Sequence, residues 1–208
     1  MNIEDIDIDR SYTPVFTDLD LAAYENDEKR YDKNLHFLIK TYPQGVLTPN
    51  LGKLEIGSEI DISLQTGKFN AEILKEAKNI ILLAAGTGIT PMCKLIQYVQ
   101  VLNKQDDTKR HITLLDFNKT RQDIIWFDQF EKSKNEHFEV HHILSQEESY
   151  EGFKGRVNKA MLEELLPTKN DETKSLVFIC GPIPFYKECE KHLAPLNFTA
   201  KEIIRFEG

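Results

Sequence analysis

Cysteine is scarce in this chain: Cys93, Cys180 and Cys189 are all there is. Three scattered thiols make no disulfide framework, and a reducing, cytosol-facing compartment is the simplest expectation. Long apolar runs are missing too. No stretch approaches the roughly 18 uninterrupted apolar residues of a membrane-crossing helix, so no membrane span is expected. The N-terminal "MNIEDIDIDR" is acidic, the opposite of a signal or transit peptide. Basic charge is in deficit, with 26 Lys and Arg against 34 Asp and Glu, and no basic stripe is visible. That argues against a nucleic-acid partner. Internal repeats and low-complexity segments are absent as well.

What is present is an ordinary globular composition, 40% apolar and 29% charged over 208 residues, enough for one large or two small domains. Charge is uneven. Residues 1–77 carry eight basic and fifteen acidic side chains, whereas residues 78–208 carry eighteen and nineteen. Rhythm changes at the same place. "NLHFLIKTY" (34–42) and "SEIDISL" (58–64) read as strands, separated by turn signals at Pro43, Gly45, Pro49, Gly57 and Gly67, and the polar 18–34 reads as a loop. From residue 79 onward, strand and helix alternate. "NIILLAAG" (79–86) is a continuous apolar run of the kind buried on both faces. Met92, Leu95, Ile96, Val99 and Leu102 then recur at helical spacing, with Pro91 near the helix start. Further strands are expected at 111–117, 137–144, 175–180 and 202–206, and helices at 121–133, 158–167 and 185–196. The expected fold is α/β: a partial antiparallel β-barrel over 1–77, then a five-stranded parallel sheet with helices on both faces over 78–208.

Two motifs sit where such sheets bind ligands. "AAGTGITP" follows the first buried strand and opens a helix. Gly86 and Gly88 permit a sharp turn and a close backbone approach, and the helix start offers N–H groups and a positive dipole end to a phosphate. A tight turn with no ligand is the alternative, because short glycine patterns are weak evidence. "CGPIPF" (180–185) ends another buried strand. Cys180 there is either a ligand-facing thiol or a small buried hydrophobe. His137, His141 and His142 cluster in sequence, but a strand would point His141 and His142 to opposite faces, and no metal site is expected. Trp126 and Phe127 read as helix packing, and "QEESYEG" as a solvated loop.

"RSYTP" (10–14), "LIKTY", "AAGTGITPM" and "CGPIPF", in this order and with "FNKTRQDIIW" between the last two, resemble the NADH–cytochrome b5 reductases of the ferredoxin reductase superfamily. The likeness covers nearly the whole chain and is greatest to the reductase part of the fusions that join haem and flavin domains. It implies that Arg10, Tyr12 and Thr13 bind FAD, with Arg10 on the pyrophosphate, Tyr12 against the flavin and Thr13 near its N5. It assigns Leu38, Ile39, Lys40 and Tyr42 to a second flavin strand, Gly45, Val46, Leu47 and Thr48 to a pyrophosphate loop, and Thr90 to a contact with the flavin. Gly86, Thr87, Gly88, Cys180, Gly181, Pro182 and Phe185 fall on the NADH or NADPH side. Thr13 and Cys180 are the residues implied at the reacting centre, Cys180 in positioning the nicotinamide.

Departures from the pattern qualify these expectations. Phe185 stands where the family has Met. Ser145 aligns with the Asp of NADH-specific members, so weak discrimination between NADH and NADPH is expected. Only nine residues precede R-x-Y-[ST], which reads as a fragment or an incomplete barrel. The implied reaction is electron transfer from NAD(P)H through FAD to a haem protein, a cytochrome b5-like domain fused upstream in the full-length protein being the partner that suits the acidic first half. A reductase for another one-electron acceptor and a nucleotide-binding remnant without flavin are the alternatives. The resemblance places the protein in the cytoplasm, with association with the endoplasmic reticulum as the variant.

Overall fold

A computed structural model describes residues 2–3, 6–7, 10–15, 17–19, 34–63, 69–170 and 172–206. Two short antiparallel ladders come first: β1 (Asn2–Ile3) with β2 (Ile6–Asp7), and β3 (Pro14–Val15) with β4 (His36–Phe37). The strand expected over 34–42 is thus confined to two residues. The one expected over 58–64 does not form within its described part, 58–63, where Ile60 and Ile62 are 48% and 54% exposed. Alternation provides a face to bury, but a strand also needs a partner ladder, and no described strand lies beside it. Of the 18–34 stretch read as a loop, residues 20–33 lie outside the described residues. Two single-turn helices follow, α1 (Thr48–Leu51), with Pro49 in its first turn, and α2 (Ile73–Glu76).

The second half is a doubly wound parallel sheet. Its elements are β5 (Asn79–Ala85), α3 (Ile89–Gln105), β6 (His111–Asn118), α4 (Phe127–Ser133), β7 (Phe138–Leu144), β8 (Phe153–Lys154), α5 (Lys159–Leu165), β9 (Ser175–Cys180), α6 (Ile183–Leu193) and β10 (Ile203–Phe206). Strand order is β10-β9-β5-β6-β7-β8, every neighbouring pair parallel. The sheet has six strands, not the expected five. The extra edge strand β8 has two residues, too few to carry a period. The helix expected over 121–133 is also shorter. A 3-10 turn at Arg121–Asp123 is followed by Trp126 in the left-handed region (φ 59°), and α4 begins only after it.

The continuous apolar run of β5 is explained by its two coats. Ile80, Leu82 and Ala84 face Met92, Ile96 and Val99 of α3, while Ile81 and Leu83 face Leu162 of α5 and Leu193 of α6. Each such fully buried side chain contributes about 1.5–3 kcal/mol relative to exposure. The α3 stripe Met92, Leu95, Ile96, Val99 and Leu102 is buried as its spacing predicts. The first core also takes in Val15 and Leu19 from the first half. Two hydrogen bonds fix that segment: Gln97 Nε2 donates to the Asp18 carbonyl (2.8 Å), and the Leu19 N–H donates to Gln129 Oε1 (2.9 Å).

Candidate functional site at the carboxyl edge

The chain leaves β5 to build β6, β7 and β8 on one side, then returns to lay β9 and β10 on the other. The strand order therefore reverses at β5, and the loops after β5 and β9 flank a crevice at the carboxyl edge, where open α/β sheets bind ligands. The two sequence motifs occupy those two loops. Gly86–Gly88 forms a 3-10 turn leading directly into α3, whose first turn has no side-chain cap. Gly86 is left-handed, φ +57°. At Gly88 a Cβ would lie 2.2 Å from the carbonyl oxygen of Cys180, so only glycine allows the turn to sit against the second motif. The structure thus brings the Gly86–Gly88 turn against the loop of Cys180, Gly181 and Pro182. Pro182 precedes α6. Phe185 of α6 packs edge-on against Phe117, ring centroids 5.1 Å apart.

Cys180 is 6% exposed, and burial pushes its thiol up to about 11. It stays protonated at neutral pH and is no thiolate nucleophile. Thr90 is buried, and its hydroxyl donates to the Thr87 carbonyl at 3.1 Å, bracing the turn from within the first turn of α3. Ser145, just beyond β7, donates its hydroxyl to the Asn118 carbonyl at 3.3 Å.

In the first half, Tyr12 packs edge-on against Phe37 at 6.5 Å. Burial raises the Tyr12 phenol, the charge of Arg10 opposes this, and Tyr42 adds to it. Tyr12 is therefore within electrostatic reach of both Arg10 and Tyr42. Thr13 and Leu38 are half-buried, while Ile39, Tyr42 and Val46 are exposed. The loop at 42–48 is a closed turn. The Gly45 N–H donates to the Tyr42 carbonyl (2.8 Å), the Tyr42 N–H donates to Thr48 Oγ1 (3.0 Å), and Leu47 is buried where α1 begins.

Lys40, of the first-half set, reaches across to the parallel half. Lys40 Nζ donates to Asp123 Oδ1 at 2.5 Å, across 83 positions of sequence. Lys40 holds the Asp123 carboxyl below its usual range, and Thr120 adds two hydrogen bonds. Around this pair is a cleft of about 200 Å³ lined by Leu38, Ile39, Gln122, Ile124 and Ile125. Asp123 was within reach of sequence reasoning, since it lies in "FNKTRQDIIW", but nothing local singled it out. The pairing of Asp116 with His142 had no signal in the sequence: two polar residues inside apolar strands, brought together only by the register of β6 on β7. The histidine cluster separates as strand geometry predicts, the His142 side chain being buried and that of His141 a quarter exposed. Among the described residues, no three His, Cys, Asp or Glu side chains are grouped to hold a metal.

Residues 82–191 match the family model of the oxidoreductase NAD-binding domain. The chain is 38% identical over 203 residues to human cytochrome b5 reductase 4, covering 96% of this chain but 38% of that protein. It is 30% identical over 200 residues to NADH-cytochrome b5 reductase 1 of Dictyostelium discoideum, covering 95% of this chain and 64% of that one. Among solved structures, the CS-b5R domains of human Ncb5or in the NAD+ form superpose with a TM-score of 0.86 at 37% identity, covering all of this chain and 58% of that one. The chain accordingly spans well under half of the human relative's length. The carboxyl-edge turn, its partner loop and these likenesses agree: the chain belongs to the oxidoreductase NAD-binding domain family and is similar to cytochrome b5 reductases.

Proposed function

We propose that the chain is the reductase part of a flavoenzyme that passes electrons from NAD(P)H through FAD to a cytochrome b5-like haem domain. Residues 1–77 form its FAD-binding domain and residues 78–208 its NAD(P)H-binding domain. The observation that carries this is the contact of the Gly86–Gly88 turn with Cys180 at the strand-order reversal. The residues present fit both groups. The uncapped first turn of α3 offers backbone N–H donors and a positive dipole end to a dinucleotide pyrophosphate. Arg10 supplies a fork-shaped cation for the FAD pyrophosphate, and Tyr12, Tyr42, Ile39 and Val46 supply aromatic and apolar surface for a flat ring. Leu38, Lys40, Gly45, Leu47, Thr48 and Thr90 complete the set on the flavin side.

Bound FAD supplies hydride acceptance and single-electron release, and the protein supplies position and electrostatics. Cys180, protonated and nearly buried, would help position the nicotinamide without attacking it, and Thr13 would offer its hydroxyl to the flavin. Ser145 presents no negative charge to a 2′-phosphate, so both NADH and NADPH serve as donors. The acidic first half would slow encounter with an acidic free haem protein. A haem domain upstream in the same polypeptide avoids this by raising its effective concentration. No helix among the described residues is long and apolar enough to cross a membrane, and placement in the cytoplasm with association with the endoplasmic reticulum is part of the same proposal.

The test is a visible absorption spectrum of the chain reconstituted with FAD, before and after NADH or NADPH. A flavin band bleached by either coenzyme at comparable concentration is the expected result. A chain that retains no flavin, or a flavin neither coenzyme bleaches, overturns the proposal.

A further inference from the structure

Asp116 and His142 lie opposite each other on β6 and β7, on the sheet face otherwise packed with Leu114, Val140 and the apolar stripe of α3. They are 1% and 4% exposed. His142 Nδ1 stands 3.0 Å from Asp116 Oδ2. The other ring nitrogen, Nε2, is 3.6 Å from Glu131 Oε1 of α4, and both Nε2 and Asp116 Oδ1 are buried without a hydrogen-bond partner among the described residues. Cys93 of α3 and Tyr150 both feel the Asp116 carboxylate. An incompletely satisfied polar couple inside an apolar layer costs stability compared with two well-packed apolar side chains. What it adds is direction: a carboxylate accepting Nδ1–H fixes the tautomer and the plane of the imidazole.

That plane supports a column of contacts reaching the carboxyl edge. The Phe127 ring lies 5.0 Å from the His142 ring, tilted by 36°. The guanidinium of Arg121 sits 4.5 Å above the same Phe127 ring. The Arg121 backbone N–H donates to Glu147 Oε2 at 2.6 Å. The loops after β6 and β7 are further laced by Ser145 N–H to the Asn118 carbonyl (3.0 Å) and Gln146 N–H to the Lys119 carbonyl (2.8 Å).

We propose that Asp116 and His142 are a positioning pair: through Phe127 and Arg121 they set the loops after β6 and β7 that hold the nucleotide end of NAD(P)H. This rests on the function proposed above. The pair touches no coenzyme itself, so its loss weakens coenzyme binding and leaves the turnover of bound coenzyme unchanged. Asp116→Leu removes the acceptor, Asp116→Asn keeps a carbonyl acceptor for Nδ1–H, and the double variant Asp116→Leu with His142→Phe restores an apolar layer.

Three readouts are taken on each chain: the dissociation constant for NADH by fluorescence, the melting midpoint, and the downfield proton NMR signal of the His142 Nδ1–H. Asp116→Leu is expected to lose the signal and to raise the dissociation constant roughly threefold to thirtyfold. Asp116→Asn is expected to keep both near native. The double variant is expected to melt at or above the native midpoint yet still bind NADH as weakly as Asp116→Leu, and it carries the test if the single variant fails to fold. Native affinity in the double variant, or affinity that follows the melting midpoint across all three, overturns the proposal. A native chain that shows the imidazole signal but binds neither NADH nor NADPH overturns the functional assignment instead, and this inference with it.

Discussion

Arg110 is the largest side chain fully buried in the described structure, and its five N–H donors all have partners. Its Nε and Nη2 donate to the Leu74 and Lys75 carbonyls at 2.9 and 2.8 Å, closing the open end of α2. Its fork grips Asp106, both contacts at 2.9 Å, and holds that carboxyl below the usual range. Arg110 thereby ties the segment before β5 to the α3–β6 connection. Arg110→Ala removes the donor from three carbonyls, those of Leu74, Lys75 and Thr108, and leaves a void, a loss of about 2–4 kcal/mol. Arg110→Lys cannot reproduce the fork and should recover little of it. Urea denaturation of the three chains checks this, and a native midpoint in Arg110→Ala would refute it. Nothing in "DDTKRHI" announces such a role. The sequence shows one more basic residue at a strand start, and its burial exists only because α2 ends beside it.

At the scale of elements, the two glycines of the β5–α3 turn are alike in sequence and unlike in structure. Gly86 has φ +57° and nothing within 4 Å of where a Cβ would point. Gly86→Ala therefore carries only the strain of a left-handed residue, about 1–2 kcal/mol. Gly88 has an ordinary φ of −59°, but its Cβ would strike the Cys180 carbonyl at 2.2 Å, a backbone atom held in β9. Gly88→Ala must push α3 away from β9, at about 3 kcal/mol or more, and deform the proposed nucleotide site. Thermal melts with NADH titration should show Gly86→Ala folded and binding, and Gly88→Ala weaker in both. Equal effects would mean that the two loops do not meet. The alternation of β5 with α3 was legible because its signals are local: an apolar run, a glycine turn, a 3.6-residue stripe. The strand expected over 58–64 was misread for the complementary reason. Ile60 and Ile62 alternate correctly, but pairing is a property of two segments, and a period reports on one.

At the scale of the molecule, five carboxylates among the described residues are held below their usual range. Lys174 holds Glu76 low, Arg110 holds Asp106 low, Lys40 holds Asp123 low, and Lys191 holds Glu188 low. Burial would raise Glu202, but Lys169 and two hydrogen bonds from Thr199 outweigh it. A carboxylate whose folded pKa is depressed contributes stability that is present above its unfolded pKa and lost as pH falls through the folded value. All five ties should therefore be intact from neutral pH down to about pH 5 and fail below about pH 4. Melting midpoints across pH 3–8 should form a plateau with an acid limb, and Asp123→Asn should flatten part of that limb. Because the Lys40–Asp123 pair is about a quarter to a third exposed, its share is under about 1 kcal/mol. A midpoint that rises on acidification would contradict these assignments.

By itself the sequence determined most of the parallel half: five of its six strands, which stripe of α3 turns inward, where the sharp turn lies, and that His141 and His142 part company across a strand. Those features depend on neighbours two to four residues apart, and the chain writes them locally. Only the tertiary structure decided the rest. Lys40 finds Asp123, Gly88 must be glycine because of Cys180, Arg110 is buried beneath α2, and Asp116 meets His142. Each depends on register or on the order in which strands are laid in the sheet, and these follow from the packing of all the layers at once.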